Sequence, residues 1–250
     1  NVGIPCPRPV VLRKNILLMT FIGKDGVPAP RLKDAKLSDE KLREMYMQCI
    51  LAMRLLYQEG QLVHADLSEY NILYVTTTAR VLRFSPATRP SRHARTRTHN
   101  RYYRSKLYFI DVSQAIESDH ENALTFLMRD CEVMTKFFTR EGVENAMSTQ
   151  ELFNFITDRS ITPDNIDAYL DEVQQRASSD QQPTYEEQLQ AGVFSKMFIP
   201  RCLSDVTNPA KEIDAVRGGR PLLHGAVTGL RSDLSGTNTV PEILKDRPNS

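Results

Sequence analysis

"LVHADLSEYNILY", Leu62–Tyr74, sets two apolar runs around a polar middle that holds His64, Asp66, Ser68, Glu69 and Asn71. Short apolar runs bounded by polar punctuation read as buried strands. So many polar groups gathered between two strands read as a site rather than as a plain turn. The segment ahead of it changes period. From Ser38 onward Leu42, Met45, Tyr46, Cys49, Ile50, Met53, Leu56 and Tyr57 recur at intervals of three and four. That spacing predicts a long buried helix with Ser38 as N-cap, Asp39 and Glu40 in the first turn and Gly60 just past the end.

Further upstream, Val10–Leu12 and Ile16–Phe21 flank Arg13-Lys14-Asn15 and predict a strand, a turn and a strand. "GKDGVPAP", Gly23–Pro30, is punctuated as a loop. Downstream the chain turns basic. Between Arg80 and Lys106 stand nine Lys or Arg and no acid, while the whole chain is only +1. This segment has no apolar period and is expected to lack fixed structure in isolation. Apolar alternation returns in "KLYFIDVSQ", a strand expected to end on Asp111. Helices are predicted at His120 to about Phe138, Ser148 to about Asp158 with a Ser148/Glu151 capping box, Pro163 to about Ala177, and Thr184 to about Ser195 with a Thr184/Glu187 box. Past Arg217 the chain is rich in Gly, Ser, Pro and Asn and reads as a disordered tail.

Composition bounds the rest. The chain has 250 residues, 40% hydrophobic and 25% charged, and contains no run of eighteen apolar residues. "NVGIPCPRPVVLRKN" lacks the order of a signal peptide. No membrane partner is expected. The four cysteines, Cys6, Cys49, Cys131 and Cys202, form no CxxC pair and are expected as reduced thiols, placing the protein in the cytoplasm with the nucleus as a further location.

Asp66 and Asn71, with Asp111 at the end of a neighbouring strand, supply a carboxylate, an amide and a second carboxylate. Such hard oxygen donors suit a divalent cation carrying phosphates. The Asp-x4-Asn spacing followed by a strand-ending Asp is the arrangement of protein kinases, where the first Asp receives the proton of the attacking hydroxyl while Asn and the second Asp hold magnesium. The rival reading makes all three solvated loop residues. His64 reads as a core histidine that shapes the loop; Ser68 and Glu69 stay open between capping, substrate contact and solvation.

"FIGKDGVPAP", "LVHADLSEYNIL", "YFIDVSQA" and "FLMRDCEVMTKFF", in this order along the chain, resemble the RIO family of atypical serine kinases. The resemblance covers Gly3 to Val75, resumes at Leu107 and runs to about Val206. It departs from ordinary kinases: His64-Ala65-Asp66 lacks the Arg after the His, Asp111-Val112-Ser113 replaces Asp-Phe-Gly, and no Ala-Pro-Glu follows. The resemblance implies an α+β, protein-kinase-like fold, mostly the helical C-lobe with a remnant of the N-lobe antiparallel sheet. Its expected parts are 1–22, remnant of the N-lobe and linker; 23–75, first part of the C-lobe; 76–106, the basic insertion; 107–216, second part of the C-lobe; and 217–250, the tail.

The same resemblance implies ATP as substrate with Mg2+, Asp66 as proton acceptor, Asn71 and Asp111 as metal ligands, and Asp111 as a residue that accepts phosphate. Met19 stands at the gatekeeper position, and the Thr20 carbonyl and Ile22 amide are expected to pair with adenine. The family works on the pre-40S ribosomal particle, which becomes the expected partner. The phosphate loop, the strand Lys and its Glu partner belong ahead of Asn1, so impaired turnover is expected of the chain as it stands. Two other classes remain: a non-catalytic binding module derived from the C-lobe, and a small-molecule phosphotransferase that shares His-x-Asp-x4-Asn. The basic segment 80–106 reads either as an RNA-contacting arm, its arginines interleaved with Tyr102 and Tyr103, or as an insertion foreign to the fold.

Overall fold

Four two-stranded antiparallel sheets and four main helices make up the described part of the chain. A computed structural model describes residues 2–76, 105–178, 225–231 and 236–244. The basic segment 77–104, the helix expected at Thr184–Ser195 and most of the tail lie outside the described residues.

The first sheet is the predicted hairpin, β1 (Pro9–Arg13) with β2 (Ile16–Met19), its register broken by a bulge between Pro9 and Val11. Every residue of the two strands is exposed, including Leu12 and Ile16 at 66% and 70%. Its apolar runs therefore add nothing to the core described below. A small turn of sheet follows, β3 (Gly23–Lys24) with β4 (Val27–Pro28), inside the stretch expected as loop.

Helix α1 (Asp39–Gln58) buries the predicted positions Leu42, Met45, Tyr46, Cys49, Ile50 and Met53. Ser38 stands at its N-cap without a side-chain cap bond. Gly60 does not end it through a left-handed turn; that conformation falls to Gln61, with φ 52°. Gly60 is needed for space instead, because a Cβ there would lie 2.6 Å from the Leu56 carbonyl oxygen.

The polar stretch lies between β5 (Leu62–Val63) and β6 (Ile72–Thr76), which pair with other partners: β5 with β8 (Ile116–Glu117), and β6 with β7 (Ser105–Phe109). Strand β7 ends on Phe109 rather than on Asp111. Asp111 adopts φ 58°, a left-handed backbone that cannot continue a ladder. Helices α2 (Ala123–Arg140) and α3 (Thr149–Thr157) pack on each other, α1 lies against α3 and β5, and α4 (Ile166–Ser178) contributes Tyr169, Leu170 and Val173 to the same core. The Ser148/Glu151 capping box is present with both reciprocal bonds.

In the region read as tail, the described residues carry a helical turn at Gly225–Thr228 and a 3-10 turn at Glu242–Leu244. Val227, Ile243 and Leu244 pack against the core. Apolar residues too sparse to show a period still bury when a preformed surface receives them. No helix among the described residues is long and apolar enough to cross a membrane.

Candidate functional site

The loop from His64 to Asn71 is fixed from below by buried groups and open above. His64 is 2% exposed, stands edge-on to Phe109, and its Nε2 donates to the Ile110 carbonyl at 3.1 Å. That bond ties the start of the loop to the segment just before Asp111. A second tie is the Ile110 N–H, which donates to the Asn71 carbonyl at 3.0 Å. Asp111 and Asn71 are thereby brought together although they are far apart in sequence.

Asp130 on α2 is the support that sequence reading missed. It lies in "FLMRDCEVMTKFF", a segment that carries the family resemblance but to which the sequence assigned no site residue; the residue is 3% exposed, and its carboxylate accepts the Ala65 N–H at 2.9 Å and the Leu67 N–H at 3.0 Å. Burial pushes its carboxyl up to about 6, while the two N–H bonds act in the opposite direction. The only signal in the sequence is an acid on the buried face of an apolar helix, which demands a partner. Ala65, donor of the first of these bonds, has φ 66°, a strained conformation for alanine that the bonds to Asp130 hold in place.

Asp66 itself is exposed. Its Oδ2 receives Asn71 Nδ2 at 3.4 Å and Gln114 Nε2 at 3.4 Å, and its backbone carbonyl takes Asn71 Nδ2 at 2.9 Å. Asn71 thus turns its N–H2 toward Asp66 and leaves its Oδ1 without a protein partner among the described residues. Asp111 is exposed as well, and its Oδ1 accepts the Ser113 hydroxyl at 2.7 Å. The donor set fits a hard cation: an amide oxygen and carboxylate oxygens remain available for one. No group of three or more His, Cys, Asp or Glu among the described residues could hold a metal alone. A cation here would draw its other ligands from phosphates and water, as magnesium does with nucleotides.

The remaining residues of the stretch face elsewhere. Glu69 turns to Arg140 on α2, Nη2 to Oε1 at 3.4 Å, and its carbonyl accepts the Lys33 N–H at 3.2 Å. Ser68 contributes its carbonyl to the Asn71 N–H at 3.0 Å, closing the turn that aims Asn71. Between β2 and β3, Thr20 is paired through its N–H to the Arg8 carbonyl at 2.9 Å, and Ile22 through its carbonyl to the Ala29 N–H at 3.0 Å. Of these two residues, the Thr20 carbonyl and the Ile22 N–H have no backbone partner among the described residues.

A family model described as RIO domain matches residues 1–97 and 93–152. The chain is 42% identical over 248 residues to the serine/threonine-protein kinase rio1 of Dictyostelium discoideum, covering 98% of this chain and 38% of that protein. It is 38% identical over 257 residues to the human serine/threonine-protein kinase RIO1, covering 98% and 40%, and 44% identical over 172 residues to human RIO3, covering 69% and 28%. The chain therefore spans about two fifths of the length of the RIO1 relatives. The Rio2 kinase of Chaetomium thermophilum in its ADP/Mg2+-phosphoaspartate complex aligns with a TM-score of 0.43 at 18% identity, over 78% of this chain and 49% of that one. With its family model matched over more than half of its length and relatives above 30% identity along nearly all of it, this chain belongs to the RIO domain family.

Proposed function

We propose that the protein containing this chain is a RIO-type serine/threonine kinase or ATPase that transfers the γ-phosphate of ATP, with Mg2+. The observation that carries the reading is the joined pair Asp66–Asn71, an exposed carboxylate fixed through its own backbone carbonyl by the amide that follows five residues later. In this reading the acceptor oxygen attacks the γ-phosphorus, the bond to the β–γ bridging oxygen breaks, ADP leaves with the electron pair, and Asp66 takes the proton. Asn71 and Asp111 would hold the magnesium ion, which supplies charge neutralisation at the phosphates. Asp111 can also act as nucleophile: its carboxylate oxygen takes the phosphoryl group from ATP, and water later hydrolyses the aspartyl phosphate to restore the carboxylate. The Thr20 carbonyl and Ile22 N–H would accept and donate to the adenine edge.

The family resemblance extends the proposal to a role in maturation of the small ribosomal subunit, with the pre-40S particle as partner, RNA contact through residues 80–106, and location in the cytoplasm and nucleus. Turnover of ATP, measured beside Mg-ATP binding on the unsubstituted protein and on Asp66→Ala, tests the central reading. Loss of turnover with nucleotide binding retained in Asp66→Ala supports it. Nucleotide binding without any turnover in the unsubstituted protein would leave the non-catalytic module, and turnover undiminished in Asp66→Ala would remove Asp66 from the chemistry.

A further inference from the structure

We propose that the Ser113 hydroxyl sets the lifetime of the phosphoryl group on Asp111, by stabilising the carboxylate that departs when the aspartyl phosphate is hydrolysed. The inference rests on the nucleophilic reading of Asp111 above and adds a second residue to that step. Ser113 Oγ donates to Asp111 Oδ1 at 2.7 Å, the length of a charge-assisted bond. The backbone around the pair is anchored on both sides. Before it, Ile110 is held twice, its carbonyl by His64 Nε2 and its N–H by the Asn71 carbonyl. After it, a turn closes through the Ala115 N–H on the Val112 carbonyl at 3.1 Å, and Ile116 pairs with Val63 across β8 and β5. The left-handed backbone of Asp111 lies between these anchors, so the hydroxyl two residues on is held to the carboxylate that takes the phosphoryl group.

The bond divides the two carboxylate oxygens. Oδ1 is engaged, and Oδ2, which accepts nothing among the described residues, is the oxygen free to attack phosphorus. Each oxygen has two acceptor sites, so the bond does not take Asp111 from a cation. On phosphorylation Oδ2 bonds to the γ-phosphorus, the bond to the β–γ bridging oxygen breaks, and ADP takes the electron pair. Oδ1 then becomes the neutral carbonyl oxygen of an acyl phosphate, and the hydrogen bond from Ser113 falls to neutral strength. In hydrolysis the water oxygen bonds to phosphorus, the bond from phosphorus to Oδ2 breaks, Asp111 keeps the electron pair, and Asp66 takes the proton that the water sheds. Negative charge returns to both carboxylate oxygens as that bond breaks, so the Ser113 bond strengthens along the hydrolytic path. It weakens as Asp111 attacks ATP. The hydroxyl therefore opposes formation of the phosphorylated protein and favours its breakdown.

The test uses the full-length protein, labelled with γ-labelled ATP and Mg2+ and then chased with unlabelled ATP. Acid-quenched label that hydroxylamine releases counts the aspartyl phosphate and leaves phosphoserine aside. In Ser113→Ala this label should decay about five- to tenfold more slowly, the difference between a charge-assisted and a neutral hydrogen bond. ATP turnover should fall while the labelled fraction rises. Loss of a merely structural contact would instead lower turnover and label together. Ser113→Thr, which keeps a hydroxyl on the same carbon, should decay like the unsubstituted protein. Decay is read on labelled molecules alone, so a misfolded fraction does not enter. Unchanged decay in Ser113→Ala, equally slow decay in Ser113→Thr, or label and turnover falling together would overturn the role of Ser113 and leave Asp111 as nucleophile. Absence of hydroxylamine-labile label from the unsubstituted protein, or equal label in Asp111→Asn, would overturn the nucleophilic reading and the proposal with it.

Discussion

Asp130 Oδ1 accepts the backbone N–H of Leu67 at 3.0 Å, so a buried carboxylate on α2 holds the residue directly after Asp66. Its other oxygen holds Ala65, directly before Asp66, at 2.9 Å. The exposed Asp66 thus owes its position to a side chain on another element. Asp130→Asn replaces one acceptor oxygen by an N–H2 that confronts a backbone donor, and should lower ATP turnover about a hundredfold, the cost of a displacement near 1 Å at a reacting group. Hydrogen exchange at residues 63–68 should speed up in the same variant while α3 keeps its protection. Unchanged exchange would remove Asp130 from the support of the loop.

The same residue makes a statement about pH. Burial pushes the Asp130 carboxyl up to about 6, so the folded protein binds a proton there that the unfolded chain, with an ordinary carboxylate near 4, does not. Stability from this group is full below about pH 4 and is lost as pH rises through about 6, by at most about 3 kcal/mol. Asp130→Asn should therefore flatten the fall in stability between about pH 4 and 6, measured by urea unfolding at a series of pH values. A pH dependence identical to that of the unsubstituted protein would contradict the burial of the charge.

Arg54 of α1 closes the C-terminus of α3. Its guanidinium donates to the carbonyls of Phe155, Ile156, Asp158 and Ile161 and lies over the Phe155 ring at 5.4 Å, while Gln58 Nε2 serves Ile156 and Thr157 at 2.8 and 3.1 Å. Burial lowers the guanidinium to about 10, which still leaves it charged at neutral pH. Orphan carbonyls at a helix end attract a cation, and here Phe155 and Ile156 of α3 share one with the carbonyls of Asp158 and Ile161 just beyond it. Arg54→Met should cost about 3–5 kcal/mol, because the carbonyls lose their donors in a buried place. Arg54→Lys should recover only part, since an ammonium cannot span four carbonyls with a fixed fork. Thermal unfolding of the two variants checks the order.

For the metal, Asp111→Asn should weaken magnesium-dependent nucleotide binding sharply in the full-length protein, and Asp66→Asn should weaken it less, because Asp66 acts on the acceptor hydrogen. Calorimetric titration with Mg-ATP, repeated with EDTA, reads the difference. Equal effects would exchange or cancel the two roles.

The basic segment offers a test through the strands that flank it. Thr76 and Ser105 are direct partners across β6 and β7, so residues 77–104 leave and return at one rung of the ladder. Replacing them with a short turn should leave thermal stability equal or higher, by about 0.6 kcal/mol for each halving of loop length. Loss of folding, or loss of association with small-subunit precursors in the full-length protein, would show that the segment packs or recognises something.

Much of this protein was legible in the chain because local regularities dictate it. The three-and-four spacing of Leu42 to Met53 obliges a helix to bury one face, and α1 does so. The Ser148/Glu151 box marked the start of α3, since orphan N–H groups select those side chains. The Asp-x4-Asn spacing placed Asn71 where one tight turn brings its amide to Asp66. What the pattern could not reveal lies across long separations: Asp130 under Ala65 and Leu67, Gln114 on Asp66, Arg54 on the end of α3, and the displacement of Asp111 from its strand by a left-handed backbone. Periodicity reports which face of an element is buried, but not which element it meets. A buried charge on that face says only that some partner must exist, and packing decides which backbone groups arrive to meet it.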